Sequence, residues 1–335
     1  MIDKTNYSLL HHNTFGIDVT CSRFIEISSV EEAVSILPSI AQSDYLLLGG
    51  GSNILFTKDY EGTVVHSAIK GIETEKNADS IMLRCGSGEN WDELVAYCVD
   101  RNYHGAENLS LIPGDVGASA VQNIGAYGAE VKDIIHSVEA VEIATGRQVT
   151  FTNDDCCYAY RHSRFKADWK NKYFITYVTY MLSPVFSPKL DYGNIRAALT
   201  EKGITEPTAE QLRNIVIDIR RAKLPDPAIQ GNAGSFFMNP IVDRETFEAL
   251  ASQYPNMPHY RISDTKEKIP AGWMIDKCGW KGKSLGNAGV HDKQALVLVN
   301  RGEATGKDIV ELCETIRGDV MKKFGIEIKP EVNII

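Results

Sequence analysis

The stretch Leu111-Ile112-Pro113-Gly114-Asp115-Val116-Gly117-Ala118-Ser119-Ala120-Val121-Gln122-Asn123-Ile124-Gly125-Ala126-Tyr127-Gly128 constrains this chain more than any other. It is too apolar for a linker and too rich in glycine for a regular element. Backbone buried in such a frame carries N–H and C=O groups that must find partners. A glycine-rich Ω-loop is the plain reading; a flat, extended ligand that packs on the backbone accounts for the composition better. Upstream, Gly49-Gly50-Gly51-Ser52-Asn53 follows directly on the apolar run Tyr45–Leu48. Successive glycines let N–H groups converge on one point, a nest for phosphate oxygens. Three in a row cost more backbone entropy than a mere turn requires.

Neither cluster is a familiar nucleotide fingerprint. Gly86-Ser87-Gly88-Glu89-Asn90 breaks the G-x-G-x-x-G pattern, and no acidic residue is placed for a ribose. Gly282-Lys283-Ser284 ends like a P-loop, but Lys277 stands where that motif requires glycine.

Around these clusters the pattern predicts mixed strands and helices. Ser29 with Glu32, Asn90 with Glu93 and Thr208 with Gln211 read as helix starts of capping-box type. Pro38 and Ser43 bring the first of these helices toward its end. Strands are expected at Tyr45–Leu48, 63–65, 81–85, 134–143, 148–151 and Tyr173–Leu182, with a hairpin at Thr145-Gly146. Leu224-Pro225-Asp226-Pro227 stops the helix begun at Thr208 and marks the best domain boundary. Beyond it come helices at Arg244–Gln253, Ala271–Lys277 and Gly306–Phe324, the last ended by Gly325, a strand at 295–299, and strand material at 326–328 and 332–335. Without regular βαβ alternation this order argues α+β.

Composition excludes several classes. A chain of 335 residues, 43% hydrophobic and 24% charged, supports two or three globular domains. Its apolar runs are strand-sized, and Met1-Ile-Asp-Lys-Thr-Asn-Tyr is no secretory signal, so a cytoplasmic protein without membrane insertion is expected. A net charge of −9 without a basic run argues against nucleic acid; an anionic ligand requires a local Arg/Lys cluster. The seven cysteines, including the adjacent Cys156-Cys157, have neither disulfide-framework nor metal-site spacing.

Gly49 to Asn53 and the 112–128 stretch resemble the flavin-binding half of the UDP-N-acetylenolpyruvoylglucosamine reductase family (MurB), within the vanillyl-alcohol-oxidase/PCMH type of FAD-binding proteins. The likeness extends over nearly the whole chain. It runs through Asn13-Thr14-Phe15-Gly16, Tyr160-Arg161, Leu190-Asp191-Tyr192-Gly193, Lys223-Leu224-Pro225-Asp226-Pro227, Gly231-Asn232-Ala233-Gly234-Ser235-Phe236-Phe237 and Lys329-Pro330-Glu331-Val332. Tyr192 in its Tyr-Gly loop is similar to the family's type I branch. There are two departures in the flavin loop: Ala120 where proline is frequent, and Asp115 where Ser, Thr or Cys is usual. Asp115 beside a dianionic pyrophosphate is unfavourable unless it points away.

The resemblance implies a two-lobed FAD-binding domain over 1–222, with lobes of about 1–68 and 69–222, then a smaller α+β substrate-binding domain over 223–335. It implies FAD held by Gly49, Gly50, Gly51, Ser52, Asn53, Ser119, Gln122, Gly125 and Tyr127. NADPH is the implied co-substrate. The implied reaction reduces UDP-N-acetylglucosamine enolpyruvate to UDP-N-acetylmuramate in peptidoglycan precursor synthesis, with hydride passing from flavin N5 to the terminal enolpyruvyl carbon. Ser235 is similar to the proton donor, and Arg161 and Glu331 to the pair that stabilises the developing enolate. Tyr192, Arg220, Lys223, Asn239, Lys281 and Gln294 match positions that hold the UDP-sugar. A monomer is expected. By themselves these residues read blandly: Ser235 as a turn serine, Arg161 and Glu331 as solvated charges, Lys223 as a helix-end cation. A flavin oxidase on the same scaffold is the alternative; it needs a base rather than a proton donor.

Overall fold

The computed structural model describes residues 1–335, and the chain divides into two compact units. The first comprises Met1–Tyr7, Thr20–Gly50 and Glu61–Arg220; the second comprises Ser8–Val19, Gly51–Tyr60 and Arg221–Ile335. A single cut at 222/223 does not describe this division, because two N-terminal segments join the second unit. Both units mix strands and helices, so the architecture is α+β.

Two sheets organise the first unit. One has the strand order Ile2–Ser8, Thr20–Ile27, Tyr60–Ser67, Tyr45–Leu48. Its last two strands are parallel, with Tyr45 opposite Thr63 and Leu48 opposite His66. The helix Val30–Ile40 places Ala33, Leu37 and Ile40 in a core with Ile25, Ile27 and Val65. The second sheet is antiparallel, in the order Gln148–Thr152, Ile135–Glu142, Tyr173–Leu182, Ile81–Gly86, Ile72–Lys76. Trp91, Leu94 and Val95 of the helix Trp91–Asp100 share its core with Val116 and Ala120 of a short helix, Val116–Gln122.

The second unit carries a sheet ordered Asn232–Ser235, Val297–Asn300, Ala288–Val290, Ser284–Leu285. The helix Gly306–Phe324 buries Ile309, Leu312, Ile316 and Val320, and Gly325 ends it at φ +66. Asn333–Ile334 pairs in parallel with Ile54–Leu55. No helix is long and apolar enough to cross a membrane.

Several expectations need correction. The 111–128 stretch is not irregular throughout: it holds the helix Val116–Gln122 and the strand Gly125–Ala126. The small side chains that argue against a free-standing helix are what let one lie flat in a core. Residues 326–328 form no strand. The first helix does end where expected, at Ile40 between Pro38 and Ser43, with Pro38 in its last turns. The strands Ile2–Ser8 and Ile72–Lys76 carry too many exposed polar residues to register as strand patterns.

Candidate active site

Gly49 and Gly50 end the strand Tyr45–Leu48 and turn against residues 114–118. A Cβ on Gly50 would lie 3.0 Å from the Gly114 Cα, and one on Gly49 would lie 3.1 Å from the Ala118 Cβ. The two segments meet here at a distance that glycine takes freely and a larger residue takes only if its neighbour gives way by a few tenths of an ångström. Gly117 approaches Ser87 in the same way and donates its N–H to the Ser87 carbonyl at 2.8 Å. A planar cofactor with phosphates fits such a surface, since few side chains stand between it and the backbone donors.

Asp115 does not point away. A Cβ added to Gly50 would meet one of its carboxylate oxygens at 3.3 Å, and one added to Gly49 would meet the other at 3.5 Å. The carboxylate does not cap the helix that Asp115 precedes, and its Oδ2 is buried without a hydrogen-bond partner. Burial pushes this carboxyl up to about 6, with His66 and Lys70 pulling the other way.

The remaining predicted residues of the first unit fall into two groups. Ser119 is 1% exposed; its hydroxyl donates to the Val116 carbonyl at 2.7 Å and lies 3.0 Å from the Tyr180 hydroxyl, so it serves the core. Gln122 accepts from the Lys166 ammonium at 2.9 Å. Gly125, Tyr127, Arg161, Tyr192 and Arg220 form the second group. A Cβ on Gly125 would lie 3.7 Å from an Arg161 guanidinium nitrogen, and a Cβ on Gly128 3.1 Å from that of Tyr192. Arg161 sits at φ +53 and Tyr127 at φ +49, both in the left-handed region that non-glycine residues enter at a cost. Burial lowers the pKa of Arg220; Tyr127 and Asp92 oppose that shift and Arg161 adds to it. Its Nε–H donates to the Leu111 carbonyl at 3.2 Å. Two guanidiniums and a half-buried tyrosine therefore converge beside the glycine loop, a local cluster suited to an anion.

In the second unit, Gly51 stands at φ +64, and a Cβ there would lie 2.0 Å from the His12 carbonyl oxygen. Ser235 ends the strand Asn232–Ser235, opposite Val297. The Glu331 N–H donates to the Phe236 carbonyl at 2.8 Å, and the Asn53 amide reaches the Glu331 carbonyl at 3.4 Å. Ser235, Glu331 and Asn53 thus lie on neighbouring backbones of one unit. Asn239 accepts from the Ala271 N–H at 2.9 Å, and Gln294 accepts from the Leu296 N–H at 3.4 Å. Lys281 is exposed, 3.9 Å from Asp276, and Lys223 is the exposed last residue of the helix Ala209–Lys223.

Sequence reasoning missed His66, Lys70 and Asn108. Asn108 donates to the carbonyls of Tyr127 and Lys189, both at 2.9 Å, and so ties down the loop. No local motif signals such a residue. Gly86-Ser87-Gly88, which fails as a fingerprint, finds its reason here: Cβ atoms on these two glycines would lie 2.4 and 2.5 Å from the carbonyls of Ile69 and Ser67.

The profile of an FAD binding domain matches residues 22–152, so the first unit is of the flavin-binding class. That of the UDP-N-acetylenolpyruvoylglucosamine reductase C-terminal domain matches residues 226–335. A UDP-N-acetylenolpyruvoylglucosamine reductase from Bacteroides fragilis is 56% identical over 335 residues, covering 99% of this chain and all of the relative. Relatives of the same name from Porphyromonas gingivalis and Flavobacterium johnsoniae are 48% and 45% identical, each with 99% of both chains covered. The crystal structure of the Thermus caldophilus UDP-N-acetylenolpyruvylglucosamine reductase matches in fold with a TM-score of 0.68 at 21% identity, covering 99% of this chain and 98% of that one. The chain belongs to the UDP-N-acetylenolpyruvoylglucosamine reductase family.

Proposed function

We infer that this chain reduces the enolpyruvyl group of UDP-N-acetylglucosamine enolpyruvate to give UDP-N-acetylmuramate, with electrons from NADPH passed through bound FAD. The observation that carries the reading is full-length kinship with the family, in a chain whose Ser235 and Glu331 are held on adjacent backbones. Bound FAD supplies the hydride-transfer chemistry. The chain's own residues must bind, orient and deliver a proton. Ser235, half-buried next to the buried rings of Phe236 and Phe237, gives the proton to the enolpyruvyl carbon beside the one reduced. Arg161 grips the substrate carboxylate through its forked guanidinium, and Glu331 hydrogen-bonds the enol form.

Gly49, Gly50, Gly51, Ser52 and Asn53 hold the flavin phosphates. Gln122, Gly125, Tyr127 and the backbone at Ser119 support the rest of the cofactor. Arg220, Lys223, Asn239, Lys281 and Gln294 bind the UDP moiety, and exposed Tyr192 folds over it as a type I lid. The first unit acts as the flavin domain, one lobe per sheet, and the second as the substrate domain. The protein works as a cytoplasmic monomer in peptidoglycan precursor synthesis.

The test is anaerobic. Flavin on the protein is reduced with one equivalent of NADPH, then enolpyruvyl UDP-N-acetylglucosamine is added while flavin absorbance is followed. Return of the oxidised spectrum supports the reading; a flavin that stays reduced until air is admitted sinks it in favour of the oxidase. Ser235→Ala is expected to leave the NADPH step near wild type and slow the substrate step by ~10²–10⁴-fold. Equal slowing of both steps removes Ser235 from the proton-donor role.

A further inference from the structure

We propose that Asp115 enters the flavin complex as a neutral carboxylic acid that donates a hydrogen bond toward the phosphates, so that the chain takes up a proton when it takes up FAD. The proposal rests on the reading of Gly49-Gly50 as the phosphate turn.

Four observations carry it. The carboxyl faces that turn, within 3.3 and 3.5 Å of where side chains on Gly50 and Gly49 would begin. Its Oδ2 is buried and bonded to nothing, and an ionised oxygen in that condition forgoes the stabilisation that water or a donor provides. Burial already favours the neutral form before any phosphate arrives. The cationic surroundings are too weak to reverse this. His66, on the strand Tyr60–Ser67, gives its Nδ1–H to the Leu48 carbonyl at 3.0 Å and has Glu26 4.0 Å from its Nε2. Lys70, in the following loop, bonds the Gly88 carbonyl and lies 3.5 Å from the Glu89 carboxylate. The short helix Val116–Gln122 and the Gly49-Gly50 turn bring no charged side chain of their own. A dianionic pyrophosphate at the turn repels an ionised Asp115, whereas a protonated one offers it an O–H.

The sign follows from linkage. A group whose pKa rises on binding takes up a proton, and affinity falls as pH climbs between the free and bound values. The free value is about 6, so the FAD dissociation constant is expected to increase from about pH 6 upward, at up to tenfold per pH unit.

Apoprotein is titrated with FAD by flavin fluorescence between pH 5.5 and 8.5. Isothermal titration in buffers of different ionisation enthalpy reports the protons taken up. The expected result is net proton uptake near neutral pH and an affinity at least ~10-fold weaker at pH 8 than at pH 6. Asp115→Asn should flatten that slope and abolish the uptake; Asp115→Ser is the second variant should the amide misfold. Histidine side chains change charge in the same interval, so His66→Gln is the control. A pH-independent affinity with no proton uptake overturns the proposal. So does a slope that persists in Asp115→Asn and vanishes in His66→Gln. Absence of FAD binding at every pH instead sinks the flavin reading of the turn, a different failure.

Discussion

Gly16 and Gly51 share a backbone angle, φ +64, but not a neighbourhood. A Cβ on Gly16 meets nothing within 4 Å, while one on Gly51 meets the His12 carbonyl at 2.0 Å. Gly16→Ala should therefore cost only the left-handed strain, about 1–2 kcal/mol. Gly51→Ala should cost more, about 3 kcal/mol or beyond, because backbone must move. Thermal midpoints of the two variants measured side by side check this; equal losses defeat the steric argument. The sequence shows that a glycine run ends the strand at Leu48, since composition alone reports it. It does not show which glycine is indispensable, because the partner is a carbonyl nearly forty positions away. The same limit applies to Asp115. Its departure from small hydroxyl residues is visible in the sequence, but its direction depends on how 114–118 packs against Gly49 and Gly50. Ser119 illustrates the converse: a motif position whose hydroxyl turns inward to Tyr180.

Helix ends were legible where the signal is local. Thr208 and Gln211 exchange hydrogen bonds at 3.2 and 2.9 Å, a complete capping box. At Ser29 only half of it forms: the hydroxyl accepts from the Glu32 N–H at 3.2 Å, but the Glu32 carboxylate reaches the Ser28 N–H at 2.7 Å. Thr305 and Asp308 make a full box at the start of Gly306–Phe324 that the sequence reading passed over. Thr305→Ala should lower stability by about 1 kcal/mol and Thr305→Ser much less, read from urea midpoints. Indistinguishable midpoints for both would mean the cap contributes nothing here. Short strands between loops, such as Ile72–Lys76, stayed hidden because pairing with Ile81–Gly86 holds them rather than any alternation of their own.

At the scale of the molecule, the proline pair at 225 and 227 follows directly on the helix Ala209–Lys223 and lies close to the structural boundary at Arg220/Arg221. The return of Ser8–Val19 and Gly51–Tyr60 to the second unit was not legible. It depends on long-range partners: Asn232 N–H to the Thr14 carbonyl at 2.9 Å, and Asn300 to the Phe15 carbonyl at 3.2 Å. A fragment of 223–335 lacks those partners and the strand Ile54–Leu55. It is expected to show helical circular dichroism without a cooperative thermal transition and to bind a hydrophobic dye. A sharp, dye-silent melt of that fragment would show that the N-terminal segments are dispensable.

The pairing of Ile54–Leu55 with Asn333–Ile334 also sets a clock. The chain passes from one unit to the other at Tyr7/Ser8, Val19/Thr20, Gly50/Gly51, Tyr60/Glu61 and Arg220/Arg221. Asn53 and Thr57 bond to backbone 278 residues further on. At typical rates of translation, those early segments wait roughly 15–55 s for partners that have not yet been synthesised. Throughout that interval the edge of Ile54–Leu55 and the Asn53 carbonyl stand open to whatever the nascent chain meets, so the second unit is assembled from residues made far apart in time.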